Sequence, residues 1–145
     1  MTHVLVSAAE ASGDQHAAHV VEAIRAARPE IEFTAFGGPS LARAAGSLEA
    51  DLVGSATMVL GFVGELGKFA RILRRFDEIL ATRRPDAVLC VDSPGLHFLF
   101  ARLAAWQGVP VIYYICPQIW AWAPWRRRKV LRYTDLLLPI LPFEE

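Results

Sequence analysis

The sequence predicts an α/β fold: a doubly wound, mostly parallel Rossmann-like sheet with helices on both faces. Three observations predict it. Short apolar runs such as Val4-Leu5-Val6, Val88-Leu89-Cys90-Val91 and Val111-Ile112-Tyr113-Tyr114-Ile115 suit strands buried on both faces, as in parallel sheets. Segments of helical apolar period alternate with them, the βαβ pattern. The runs end in glycine-bearing or polar loops, and open α/β sheets bind ligands outside the carboxyl ends of their strands. With 145 residues, 54% of them apolar, the chain suffices for one domain with a sizeable core and is not disordered.

Val4 to Val6 reads as the first strand. It feeds a loop of small residues, Ser7 to Asp14, carrying the carboxylates Glu10 and Asp14 and the hydroxyls of Ser7 and Ser12. A helix follows from about Asp14 to Arg28, with Val20, Val21, Ile24 and Ala27 as its apolar stripe and Glu22, Arg25 and Arg28 facing away. Ser12 or Asp14 can cap its first turn, which is the alternative to a binding role for either; Glu10 lies before the helix and is harder to explain as a cap. Glu32 to Phe36 is the second strand. Gly37-Gly38 behind it allow a tight turn or close approach of backbone to a ligand. A short helix over Ser40 to Ala45 stops at Gly46.

The apolar, glycine-bearing stretch from 57 to 67 predicts a loop or a frayed helix start, because glycine disfavours a helix interior. From Leu66 the period is helical through Phe69, Leu73, Phe76 and Leu80, with Lys68, Arg71 and Arg75 on another face. A core-packed surface helix explains this pattern. So does an interfacial one, whose Met58, Leu60, Phe62, Val63, Leu66 and Phe69 enter a bilayer while Arg71 and Arg75 meet anionic head groups. Asp86 to Asp92 is the next strand, four apolar residues running into a carboxylate that packing does not call for. Ser93 and Pro94 suit the N-cap and first position of a helix that buries Leu96, Leu99, Phe100 and Leu103 and stops at Gly108. Pro110 to Ile115 is a strand ending in Cys116-Pro117-Gln118. Then come Trp120, Trp122 and Trp125, the cations Arg126 to Lys129, a short helix to Tyr133 and a last strand over Asp135 to Leu138.

The common strand order 3-2-1-4-5 puts the strand ending at Asp92 beside the first strand, with the crevice of the sheet between them. Glu10, Ser12 and Asp14 then line one wall, and Asp92, Ser93, Pro117 and Gln118 the other, with Gly37 and Gly38 behind. No G-x-G-x-x-G or phosphate-loop pattern occurs, so no dinucleotide or nucleoside triphosphate is indicated at the first turn. An acidic, hydroxyl-rich wall suits a sugar, and the nearby apolar residues suit one carrying acyl chains. Lys and Arg together number 15, as do Asp and Glu, so global charge predicts no polyanion or nucleic-acid binding. His16 and His19 lack a third ligand at metal spacing, so neither a metal nor a cofactor is expected. His97 is close to Asp92 in sequence and could reach the crevice, but a surface or half-buried histidine at a helix start is the favoured reading. Cys90 and Cys116 read as buried free thiols, and two cysteines give no disulfide framework. The start lacks a secretory pattern, and no apolar segment reaches the ~18 residues of a membrane span.

Ala9-Glu10-Ala11-Ser12-Gly13-Asp14, Phe36-Gly37-Gly38-Pro39, the run Pro85 to Pro94, Tyr114-Ile115-Cys116-Pro117-Gln118-Ile119-Trp120-Ala121-Trp122 and Leu141-Pro142-Phe143-Glu144 occur in this order along the chain. Together they resemble the lipid-A-disaccharide synthase family. The resemblance implies one half of a two-Rossmann (GT-B) glycosyltransferase: an inverting hexosyltransferase of lipid A and lipopolysaccharide biosynthesis, moving a diacylated glucosamine from UDP to diacylglucosamine 1-phosphate. Residues 1–145 would be its amino-terminal, acceptor-side domain, with the carboxy-terminal nucleotide-sugar domain absent and the isolated chain inactive. It implies Asp92 as general base, Glu10 as a second catalytic group, and Ser12, Asp14, Gly37, Gly38, Ser93, Pro117, Gln118, Trp120 and Trp122 as substrate contacts. Its partners would be an acylated sugar acceptor, a UDP-sugar donor held by the second domain and an anionic membrane surface, with room for a homodimer and no nucleic acid. Its place would be cytoplasmic, peripheral on the inner face of the cytoplasmic membrane.

The chain departs from the family pattern at Ala9, often glycine there, at Gly95-Leu96-His97, where Asp-Phe-Asn is usual, and at Tyr113 or Tyr114, where a histidine is common. Two other readings compete: half of a UDP-sugar epimerase, and a non-catalytic membrane or nucleic-acid binding module built on Trp120 to Lys129.

Overall fold

The structure, a computed structural model, describes residues 1–54, 62–115, 128 and 132–139, with the side chains of 62–64 excepted. The elements in chain order are β1 (His3–Ala8), α1 (Ala11–Ala27), β2 (Glu32–Gly37), α2 (Pro39–Ala45), β3 (Ala50–Asp51), α3 (Phe62–Arg83), β4 (Ala87–Val91), α4 (Pro94–Trp106), β5 (Val111–Tyr114) and β6 (Leu136–Leu138). The strands form one sheet in the order β3-β2-β1-β4-β5-β6, every pairing parallel. The expected 3-2-1-4-5 order is therefore present, extended at one edge by β6; its third strand, β3, is a two-residue edge strand too short to leave a periodic signal.

Alternation along the strands explains how the sheet is covered. Leu5, Phe36, Val88, Cys90, Val111 and Tyr113 point to one face and pack with Phe76, Ile79 and Leu80 of α3 and with Phe100, Ala101 and Ala104 of α4. Val6, Ala8, Phe33, Ala35, Leu89 and Val91 point to the other, where Ala17, Ala18 and Val21 of α1 and Leu41, Ala44 and Ala45 of α2 cover them. Phe76 and Phe100 stack with ring centroids 3.8 Å apart, and Phe36 meets both edge-on. Cys90 is a free thiol inside the first core, and burial pushes its pKa up.

Several local expectations change. α1 begins at Ala11 rather than Asp14, because the Asp14 amide already donates to Glu10 O at 2.8 Å. Neither Ser12 nor Asp14 caps it: Glu10 is its N-cap residue, without a side-chain cap bond. Arg25 does not face away. It donates from Nη2 to Ala45 O at 2.6 Å and lies over the Phe33 ring. α3 begins at Phe62 rather than Leu66 and runs through Gly64 and Gly67; a long helix absorbs two glycines at about 1 kcal/mol each once its later turns are packed. Leu66 and Phe69 lie on the expected stripe yet are exposed, as is Leu99 on α4.

Candidate active site

The chain leaves β1 for β2 and β3 on one side and returns to β4 on the other. The direction of winding thus reverses between β1 and β4, and the carboxyl ends of those strands flank the opening this creates. Ala8 pairs with Val91 across it, so the residues after each strand sit at one level. From β1 come Glu10 and Ser12, both exposed. From β4 come Asp92, half-buried, and Ser93, buried. The first turn of α1 closes on the end of β4: a Cβ built on Gly13 would lie 3.5 Å from Val91 O and 3.6 Å from Asp92 Cβ.

The backbone at this opening is unusual. Asp92 and Ser93 have φ of 55° and 47°, and Ile115 at the end of β5 has 58°. Non-glycine residues in the left-handed region cost about 1–3 kcal/mol each and persist only where surrounding contacts hold them. Those contacts are visible at Asp92. Its amide donates to Tyr114 O at 3.1 Å. Its carbonyl oxygen accepts from Tyr113 Oη at 2.7 Å and faces His97 Nδ1 at 2.5 Å.

His97 is wholly buried, contrary to the expectation of a surface or half-buried side chain. A carbonyl only accepts, so Nδ1 carries the proton. Nε2 is then the acceptor, and the buried Ser7 hydroxyl donates to it at 2.8 Å. Burial lowers the His97 pKa to about 4, against the opposing pull of the Asp92 carbonyl, so the ring is neutral at neutral pH. Ser7 shares the strand face of Leu5, and α4 lays His97 over that face. Ser7 and Tyr113 were not among the residues expected at the site, and His97 was expected there only as the less favoured of two readings. The available signal was one hydroxyl inside an apolar strand, which has to find a buried partner.

Other expected site residues are placed differently. The Asp14 carboxylate does not face the opening. It accepts from the amides of Gly38 (2.7 Å), Ser40 (3.0 Å) and Leu41 (3.1 Å), the first turn of α2. Gly37 and Gly38 make room for it: a Cβ on Gly38 would lie 2.7 Å from Asp14 Oδ2, and one on Gly37 3.2 Å from Oδ1. The close approach that the paired glycines permit is thus to another part of the chain. Ser93 occupies the N-cap position of α4, but its hydroxyl makes no cap bond and is buried without a partner. A left-handed backbone at the N-cap, in place of the extended one, turns that hydroxyl from the amides it would otherwise cap. Met58, Leu60, Pro117, Gln118, Trp120 and Trp122 lie outside the described residues, as do the side chains of Phe62 and Val63. Arg71 is exposed; Arg75 is bound to Glu49 at 2.8 Å and approaches Glu78 at 3.6 Å. Among the described residues no group of three potential ligands could hold a metal ion.

A parallel Rossmann-like sheet with its carboxylates at the switch point is shared by many enzymes, so the fold alone does not name one. A model of the family described as lipid-A-disaccharide synthetase matches residues 4–145. The chain belongs to that family. Among its relatives, the lipid-A-disaccharide synthase of Myxococcus xanthus is 42% identical over 145 residues, covering 98% of this chain and 37% of that one. The Koribacter versatilis lipid-A-disaccharide synthase is 38% identical, covering 100% and 38%, and the Chlamydia pneumoniae one 36% identical, covering 99% and 24%. The chain therefore spans well under half the length of these synthases. Two solved structures share its fold: Acinetobacter baumannii MurG (TM-score 0.63, 15% identity, 98% of this chain and 42% of that chain) and S. aureus MnaA in its co-structure with UDP (TM-score 0.62, 14% identity, 96% and 38%). The doubly wound, parallel Rossmann-like sheet expected from the sequence is borne out.

Proposed function

We propose that this chain is the acceptor-side half of a lipid-A-disaccharide synthase, moving a diacylated glucosamine from UDP to diacylglucosamine 1-phosphate with inversion. Asp92 is the general base in this reading. Its carboxylate takes the proton of the acceptor hydroxyl as that oxygen bonds to the anomeric carbon, and the bond to UDP breaks on the opposite side. Glu10 and Ser12, exposed beside the same opening, contact the acceptor sugar or assist the transfer, and Ser93, Pro117, Gln118, Trp120 and Trp122 are further proposed acceptor contacts. The UDP-sugar is held by the further length that the relatives possess. The exposed residues 65–71 of α3 rest on the anionic inner face of the cytoplasmic membrane, where an acylated acceptor resides. The observation that carries the reading is a carboxylate-bearing residue held in a left-handed conformation at the β1/β4 switch point of a chain in this family.

The test is Asp92→Asn in the chain joined to the remaining length its relatives have. Disaccharide formation should fall at least about 100-fold, as expected for loss of a general base, while thermal unfolding stays close to the parent's. Turnover near the parent's would remove Asp92 from the base role. The isolated 145-residue chain should form no disaccharide, and formation by it would overturn the assignment of the donor site to a second half.

A further inference from the structure

Among the described residues, three buried side chains at the opening, Ser7, His97 and Tyr113, hold polar contacts there, yet none of them contacts the acceptor in the proposed reaction. Ser7, His97 and Tyr113 converge on one atom group, the peptide after Asp92, and Ser7 reaches it only through His97. Three polar groups in a core are costly unless each is paired. Here two of the pairings end on the same carbonyl oxygen, Tyr113 Oη at 2.7 Å and His97 Nδ1 at 2.5 Å. A carbonyl in this neighbourhood needs only one donor to be satisfied.

What the second donor adds is direction. Two donors from different elements, α4 and β5, fix the plane of the peptide that joins Asp92 to Ser93. That plane sets the ψ of Asp92, and with φ held at 55° it sets the direction in which Cβ leaves the backbone. Ser7 on β1 in turn fixes the ring of His97 through Nε2 at 2.8 Å. The two strands of the switch point, β1 and β4, and the neighbouring β5 are thereby tied to one peptide. We infer that His97 and Tyr113 are positioning residues for the Asp92 carboxylate, acting through its own carbonyl, with Ser7 orienting the His97 ring.

Neutrality of His97 fits this role. A protonated ring would give Nε2 a hydrogen where the Ser7 hydroxyl hydrogen already points, and burial opposes that charge. The inference rests on Asp92 being the base, so the experiment separates the two. In the chain joined to its remaining length, Tyr113→Phe removes one oxygen and leaves the ring packing in place. It should lower kcat about tenfold, one hydrogen bond's worth of orientation, with the acceptor KM within about twofold. His97→Phe should lower kcat about 100-fold, the size of effect that a misplaced catalytic group produces. His97→Asn, which keeps an N–H for the carbonyl, should recover about a tenth of the parent's kcat by the same scale.

A merely structural role would lower thermal stability without this split between kcat and KM and without the rescue. If Asp92→Asn is inactive while a folded Tyr113→Phe keeps the parent's kcat, the positioning inference is overturned and the base assignment stands. Should His97→Phe fail to fold, Tyr113→Phe and His97→Asn decide. If Asp92→Asn keeps its turnover, the base assignment falls first and the positioning role falls with it.

Discussion

His97 enters the interior as a neutral imidazole whose tautomer its two partners set, and this has a consequence for stability. Its folded pKa of about 4 lies below the ordinary 6.5 because burial disfavours the charged ring. The unfolded chain therefore takes up the proton first as pH falls. The stability that goes with a neutral His97 is fully present above about pH 6.5 and is lost as pH drops toward 4, by about 3 kcal/mol at most. Other acidic groups titrate in the same range, so the useful quantity is a difference. The gap in melting temperature between the parent and His97→Asn should narrow from about pH 7 to about pH 4.5, because only the parent pays this cost. A gap that stays constant with pH would mean that the ring is not held neutral in the fold. Asp92, by contrast, is proposed from its place in the sequence alone, since a carboxylate at the end of an all-apolar strand has no packing reason to be there.

At the scale of elements, α2 shows how one helix can specify another. It has seven residues, too few to be stable by itself. α1 supplies a partner for each of its ends: Asp14 accepts from three amides at the N-terminus, and Arg25 donates to the Ala45 carbonyl at the C-terminus. The two side chains are eleven residues apart, three turns of α1, so they share a face, and their charges have the signs that the dipole of α2 favours. Asp14→Ala should cost about 2–3 kcal/mol, because it leaves buried amides without an acceptor. Asp14→Asn should cost less, since one acceptor oxygen remains. Urea unfolding at unchanged m would read both; an Asp14→Ala midpoint equal to the parent's would refute the clamp. This pairing was not legible beforehand. The carboxylate stands at the right place for a local cap on α1, and only the packing of α1 beside α2 offers it a better set of donors.

For the whole molecule, parallel strands place the start of every helix at the carboxyl end of the sheet. α3 follows β3, so its first turns emerge on the same side as Asp92. Those turns extend past the core: residues 65–71 are all exposed, Leu66 and Phe69 included, while Phe76, Ile79 and Leu80 are buried. Among the described residues no helix is long and apolar enough to cross a membrane; the proposed bilayer contact is made by this exposed surface. Leu66→Asp with Phe69→Asp should weaken flotation with anionic vesicles about tenfold or more, from the apolar area each side chain would bury, and leave the melting temperature unchanged. Equal flotation of parent and variant would detach the membrane proposal from α3. Arg75 should contribute less to that binding than its position on the helix suggests, because Glu49 and Glu78 already partner it.

By itself the sequence determined the layers of this protein. Apolar runs of strand length and apolar stripes of helical period place four helices and every strand but β3, and a carboxylate ending such a run marks the side proposed for the chemistry. These are local signals, because burial on two faces and burial on one face leave different periods. Only the tertiary structure decided what the polar residues near that side do. Asp14, Gly37 and Gly38 are drawn together to build α2, His97 and Tyr113 are drawn onto the Asp92 carbonyl, and Leu66 is left in solvent on a stripe that elsewhere is core. A side chain's type states which bonds it can make. Which of them it makes depends on what residues distant in sequence bring within about 3 Å.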